Sequence, residues 1–320
     1  MPRETLRYAG FLMLTVLLAT TGCRSAGLRL LNLIGIKKDP IMVLFVLDDE
    51  HEPPKDIREW INPAAPYEPL LAAMERELGR PVGYDMCFSF QLAPCLNTGL
   101  SHLAVVSASQ YVEVLDHGEF EVLAVAIDDK GRSARSALLV VPAESGIRGL
   151  DDLRKKRIAF GPNGDARTHH AAWKLLREHG LDKTDLALEL LPLPGSLKHM
   201  PHMRAIAQSV INHSSDAGFV DEGAWEAFPE SDPREGEPAR DKLRVVARTV
   251  AVPNQLILRS PKLDDPGAKS VRAFLMSVGA KSPEALDALP NAGYGPASAE
   301  LLALCREVVT AAPKGAAEKP

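Results

Sequence analysis

At 320 residues the chain is long enough for two compact lobes, and its 46% hydrophobic and 25% charged residues are the balance of a globular protein, not a disordered one. A formal charge of −5 supplies no broad basic face, which argues against a nucleic-acid partner and leaves room for one small anion in a local site.

Arg3 and Arg7 precede an uninterrupted apolar run at 11–19 (FLMLTVLLA), the length of a signal-peptide core and short for a bilayer span. Small residues follow, ending in Thr20-Thr21-Gly22-Cys23. A Gly-Cys ending directly after such a run resembles the lipobox of bacterial lipoproteins, whose cysteine is acylated and becomes the new N-terminus. An ordinary cleavable signal or a short anchor is the alternative. Residues 1–23 are therefore expected to be a lipoprotein signal peptide, with Cys23 lipidated, and 24–40 a tether. The protein is expected to be exported and held to a membrane, facing the periplasm or the cell surface. Of the other cysteines, Cys87 and Cys95 are close enough in sequence to pair. With Cys305 they are equally readable as small buried hydrophobes.

From residue 41 apolar runs alternate with helical spacing. Strands are expected at 41–47, 82–88, 103–107 and 120–127, and helices at 64–79, 89–98 and 108–117. The rhythm repeats with strands at 137–141, 157–161, 186–191 and 217–220 and helices at 149–156, 165–179 and 198–212. A Pro- and charge-rich loop is expected at 229–241, one or two returning strands at 243–258 and a helix at 269–278. Such alternation means a parallel sheet covered by helices on both faces. The expected division is lobe one at 41–136 plus 247–309, lobe two at 137–246 and a disordered tail at 310–320.

Several segments together resemble a known family. They are 69–82 (PLLAAMERELGRPV), 99–112 (GLSHLAVVSASQYV), 137–161 (ALLVVPAESGIRGLDDLRKKRIAFG), 195–199 (GSLKH), 216–219 (DAGF) and 252–255 (VPNQ). In order and spacing they are similar to the phosphate/phosphite/phosphonate substrate-binding proteins of ABC transporters. The resemblance implies the α/β type II periplasmic-binding-protein fold, two lobes each with a mostly parallel sheet flanked by helices. It also implies an interlobe cleft at the strands' carboxyl ends, where helix N-termini favour an oxyanion.

The family's gripping loop reads Pro-x-Ser-Thr-Ser-Gly, and here the loop is Pro162-Asn163-Gly164-Asp165-Ala166-Arg167. All three hydroxyl positions are replaced. Asp165 reads as a helix N-cap, a place from which it occupies or repels the anion position. Arg167, Thr168 and His169, followed by His170, are able to rebuild a site one turn on, an Arg fork suiting phosphate or carboxylate; a solvated helix face is the alternative. Ser107 and Tyr111 at a lobe-one helix start, Ser136 on the crossover, Asn163 and Gly164 in the loop, and Asp221 after a strand complete the expected ligand set. His199, His202 and His213 raise a metal alternative, against which a surface role is preferred. No Ser/His/Asp, Cys/His or paired-carboxylate pattern suggests an enzyme.

The function expected is capture of a small oxyanion by hinge closure, without metal, cofactor or covalent chemistry, by a monomer that serves an ABC permease. A diverged receptor or sensor for a different small ligand is the alternative.

Overall fold

The computed structural model of the protein describes residues 39–46, 62, 64–189, 197–229 and 240–311. The signal sequence, Cys23, most of the tether, much of the loop at 229–241 and the tail from 312 lie outside the described residues. Among the described residues no helix is long and apolar enough to cross a membrane.

The first sheet grows from β1 (Ile41–Val46), whose six side chains are all buried because the strand is covered on both faces. Helix α1 (Glu68–Leu78) presents Leu70, Leu71 and Met74 inward and stops at Gly79, whose φ of 59° suits glycine. Then come β2 (Val82–Cys87), α2 (Ser89–Thr98), β3 (Leu103–Val106), α3 (Ala108–Val114) and β4 (Glu121–Ile127). The chain leaves this sheet after β4 and returns later as β12 (Leu256–Arg259) and β13 (Gly293–Gly295), with helix α7 (Asp265–Lys281) between them, giving the order β13-β4-β12-β3-β1-β2. β1 pairs in parallel with β2 and β3. β12 runs antiparallel between β3 and β4, and β13 is antiparallel to β4.

The second sheet holds β6 (Ala137–Pro142), β7 (Ile158–Phe160), β8 (Lys198–His199), β9 (Ala217–Asp221) and β10 (Leu243–Arg248), in the order β10-β6-β9-β7-β8. β7 pairs in parallel with β8 and β9, while β6 is antiparallel to β9 and β10. Both sheets are thus mixed. The reason is topological: β6 and β12, which enter their sheets from the crossovers, run against the βα strands, while β10 and β4, which leave, run with them. The crossovers themselves pair as a short antiparallel ribbon, β5 (Ala134–Arg135) with β11 (Val252–Pro253).

Four expectations need correction. Residues 243–248 do not return to the first sheet; as β10 they pair with β6, two residues beyond the expected lobe boundary at 246. Residues 198–212 are not one helix, because 198–199 hydrogen-bond along β7 and α5 (Met203–Ile211) starts only after His202, its N-cap. Residues 186–189 form no strand; 190 and 191 lie outside the described residues. Finally, Thr310 and Ala311 belong to a C-terminal helix, α8 (Ala299–Ala311), whose Cys305 and Val308 are buried. Among the described residues no disulfide joins Cys87, Cys95 or Cys305.

Helix α8 touches both lobes. Its Cys305 thiol donates to the Ala108 carbonyl at 3.3 Å in lobe one. Glu307 pairs at 2.9 Å with Lys174 in lobe two, on α4 (Ala172–Glu178), and the Ala311 carbonyl accepts from Arg177 at 3.0 Å. One apolar cluster accordingly holds Cys305, Val308, Ala108 and Tyr111 together with Ala166 and Ala171 of lobe two.

Candidate functional site

The carboxyl end of β7 opens into the loop 161–165 and then a π-helical turn, Ala166–Ala171, that runs on into α4. Gly161 is glycine because a Cβ there would stand 1.8 Å from the Thr168 hydroxyl, so the turn folds straight back onto the strand. Asp165 caps the turn. Its Oδ1 accepts from the Arg167 N–H at 3.0 Å, the Thr168 N–H at 2.6 Å and the Thr168 hydroxyl at 2.6 Å. Its carbonyl accepts from both His169 (3.2 Å) and His170 (2.9 Å), the longer reach that makes the turn π rather than α. Gly164, at φ 91°, donates its N–H to His169 Nδ1 at 2.9 Å and accepts the Ser109 hydroxyl at 2.6 Å from lobe one. Asn163 is exposed at the loop tip.

Arg167 reaches from this loop to the crossovers. It donates to Asp221 Oδ2 at 2.9 Å, to the Pro253 carbonyl at 3.1 Å and to Asn254 Oδ1 at 3.0 Å. Its Nε–H is buried and has no hydrogen-bond partner among the described residues. Arg135 approaches the same carboxylate at 3.7 Å and bonds Asn254 at 3.2 Å. Asp221 stands at the end of β9 and caps α6 (Glu222–Ala227) through the Ala224 N–H at 2.9 Å. Burial would push its carboxyl up; Arg167, Arg135 and that N–H outweigh it and hold the carboxyl below the usual range. Two guanidiniums therefore converge on one carboxylate at the floor between the lobes.

The other expected residues serve structural ends here. Ser107 caps α3, accepting from the Gln110 N–H at 3.3 Å, and its own N–H goes to Gln110 Oε1 at 2.9 Å. Tyr111 is buried, with its hydroxyl 3.5 Å from Arg306 of α8. Ser136 is buried, and its N–H is given to Glu222 at 3.2 Å. Thr168 is buried and spent on Asp165. His169 is buried beside His170 and His199, ring centroids 4.9 Å from each. Burial and then those two neighbours push its pKa down to about 3, so it stays neutral. His199 Nδ1 faces the Gly161 carbonyl at 2.9 Å and must donate to it. His202 accepts from the Ala205 N–H at 3.2 Å as a cap, so the spacing that raised a metal does not put His199 and His202 on one helix. Among the described residues no group of three His, Cys, Asp or Glu is placed to hold a metal ion.

Sequence reasoning missed the hinge residues. Asn254 is buried where the crossovers meet and gives its Nδ2 to the carbonyls of Ala126 (3.1 Å) and Arg132 (2.9 Å). Arg132 holds Asp128 at 2.8 Å and clasps Glu226 of α6 with two bonds of 3.0 and 2.7 Å. The only signal was the density of arginine in the crossover, Arg132 and Arg135. The Arg132 hydrogen bond, aided by Lys130, lowers the Glu226 pKa to about 2. A carboxyl lowered on folding adds stability that is complete above its unfolded pKa and is lost as pH falls through the folded value. Glu226→Gln is therefore expected to cost about 1 kcal/mol at neutral pH after solvent screening, a difference that vanishes toward pH ~2. Urea melts of both proteins across pH 2–7 measure it.

Residues 63–302 match the model of a family described as ABC transporter, phosphonate, periplasmic substrate-binding protein. No curated protein matches significantly. Among solved structures, XAC2383 from Xanthomonas citri, solved bound to chloride, is 19% identical with a TM-score of 0.63 over 85% of this chain and 96% of its own. A binding protein component of an ABC phosphonate transporter from Pseudomonas aeruginosa (PA3383) is 15% identical, TM-score 0.59, over 84% and 85%. PhnD1 from Prochlorococcus marinus in complex with methylphosphonate is 14% identical, TM-score 0.58, over 84% and 96%. At these identities the structures establish a shared two-lobed fold.

Proposed function

The chain belongs to the family of periplasmic phosphonate substrate-binding proteins of ABC transporters, and from that premise we propose that it captures a small oxyanion of the phosphate, phosphite or phosphonate type between its lobes. The observation that carries the ligand class is the Arg167 guanidinium. Among the described residues one of its N–H groups is buried without an acceptor, beside a second guanidinium that shares its carboxylate partner Asp221. A buried donor left unmade costs about 1–3 kcal/mol, and an oxyanion oxygen supplies what is missing. The ligand contact proposed is Arg167, with Arg135 in support, Asp221 holding both guanidiniums in place and Asn163 exposed at the rim. Ser107, Tyr111, Ser136, Gly164, Asp165, Thr168 and His169 hold the walls.

The mechanism is hinge closure without covalent chemistry, the β5–β11 ribbon serving as the hinge and the closed form being the one an ABC permease recognises. The family is one of transport proteins, and nothing in the site asks for a catalytic step. The lipobox-like ending at Cys23 supports an exported, lipid-anchored protein, which acts in this reading as a monomer.

A thermal-shift screen with phosphate, phosphite, methylphosphonate, sulfate and amino acids, run at pH 6 and pH 8, tests the ligand class. A true ligand at a hundredfold excess over its Kd adds about 2.7 kcal/mol of stability. Absence of a shift with every phosphorus oxyanion at both pH values overturns the assignment.

A further inference from the structure

We infer that the cleft selects singly charged oxyanions against doubly charged ones, and that the Asp165 carboxylate sets this selectivity. The inference rests on the oxyanion reading above. A dianion needs several neutral donors around it, since its second charge must be met by hydrogen bonds where no further cation is at hand. The loop after β7 has such donors, but they are spent inside it. The N–H groups of Arg167 and Thr168 and the Thr168 hydroxyl all go to Asp165 Oδ1, and the Gly164 N–H goes to His169. On the facing side the Ser107 N–H and the Gln110 N–H are tied in a mutual cap, and the Ser109 hydroxyl is given to the Gly164 carbonyl.

What is left for a ligand is guanidinium. Arg167 and Arg135 bring two positive charges, and the Asp221 carboxylate already answers one of them. One negative charge completes the balance. A second would lie near the fixed carboxylate of Asp165 with no donor to receive it. At an effective dielectric near 20, two like charges about 6 Å apart repel by an amount that equals a factor of about a hundred in affinity. The ligands favoured are sulfonates, phosphonate monoesters and phosphodiesters, and phosphonates or phosphate monoesters below their second ionisation, which for phosphate esters falls near pH ~6.

The other titratable groups of this region do not mimic the effect. His169 and His170, on the same segment, are both held toward the neutral form, first by burial. His199 behind them is bound to the Gly161 carbonyl, and Asp221 across the cleft is held in its charged form.

The test is isothermal titration of methylphosphonate at pH 5.5 and 8.5 into the wild-type chain, Asp165→Asn and Asp165→Ser. Asn and Ser are both good N-caps, so the helix start is retained, and a thermal melt of each variant verifies folding. In the wild type, affinity is expected to be at least about tenfold higher at pH 5.5 than at pH 8.5. In both variants the gain at pH 8.5 should narrow that ratio to within about twofold. Equal wild-type affinity at the two pH values, or an unchanged ratio in both folded variants, overturns the charge selection and leaves oxyanion binding standing. Failure of methylphosphonate to bind any of the three proteins at either pH overturns the oxyanion reading, and this inference with it.

Discussion

Arg167→Ala is expected to weaken oxyanion binding about 10- to 100-fold, the largest functional effect of any single change in the cleft. The side chain joins the loop after β7, the end of β9 and the crossover, through Asp221, the Pro253 carbonyl and Asn254. Its Nε–H is the buried donor that still lacks an acceptor. Alanine removes a ligand contact worth about 1.5–3 kcal/mol and also loosens the floor on which the ligand rests. The free protein should lose about 1–3 kcal/mol as well, less than for a fully orphaned buried charge because Arg135 still faces Asp221. Arg167→Lys keeps the charge, but its three donors sit on one nitrogen and leave none for the ligand once Asp221, Pro253 and Asn254 are served, so it should fall between the two. Titration calorimetry gives the affinities and urea unfolding the stabilities. Wild-type affinity in a folded Arg167→Ala protein would remove this residue from the site.

Trp173 should show the largest effect on stability. It is 2% exposed, its ring lies 6.1 Å from that of Phe160, and it packs in a cluster with Leu153, Leu176, Leu181 and Phe219. Trp173→Ala is expected to cost about 3–5 kcal/mol, the range for emptying a buried aromatic site. Trp173→Phe should cost far less than its lost volume suggests, under about 1.5 kcal/mol. The indole N–H is already buried without a partner among the described residues, and phenylalanine removes that penalty along with the ring atoms. Urea melts of the two variants separate these contributions. Equal losses for Ala and Phe would mean that the N–H has a partner and the packing alone does not decide.

The framework was readable from the chain because its central strands are unambiguous. IMVLFV and ALLVVP are buried at every position, and a continuous apolar run of that length between turn signals has few other uses. β10 was harder. LRVVAR is only partly buried, a pattern that suits an edge strand in either sheet, so nothing local says that it stays with β6. β8 is two residues long and carries no periodicity. The C-terminal helix packs inward through Cys305 and Val308 with Leu301, Leu302 and Leu304 partly buried beside them, but its last residues run directly into an alanine-rich tail.

The site divides in the same way. Asp165 was legible as a cap because capping is local chemistry, and the loss of hydroxyls around it is visible residue by residue. Arg167 and Asp221 both stood out, yet their pairing spans 54 positions and is a property of the fold. Asn254 and the Arg132–Glu226 clasp were invisible for a stronger reason. Asn254 acquires meaning only where two crossovers, more than a hundred residues apart, lie side by side, and the clasp only where α6, 94 positions on, meets the first of them.

The apolar cluster under α8 also ties the opening of the cleft to temperature. Whichever lobe keeps the helix, parting the lobes wets some of the surface now shared by Ala166, Ala171, Cys305 and Val308. Exposing apolar surface raises the heat capacity, and the water-driven attraction that holds such surface together fades on cooling. The open form therefore gains ground in the cold, and a receptor of this build releases its cargo more readily there than its ionic contacts alone would allow.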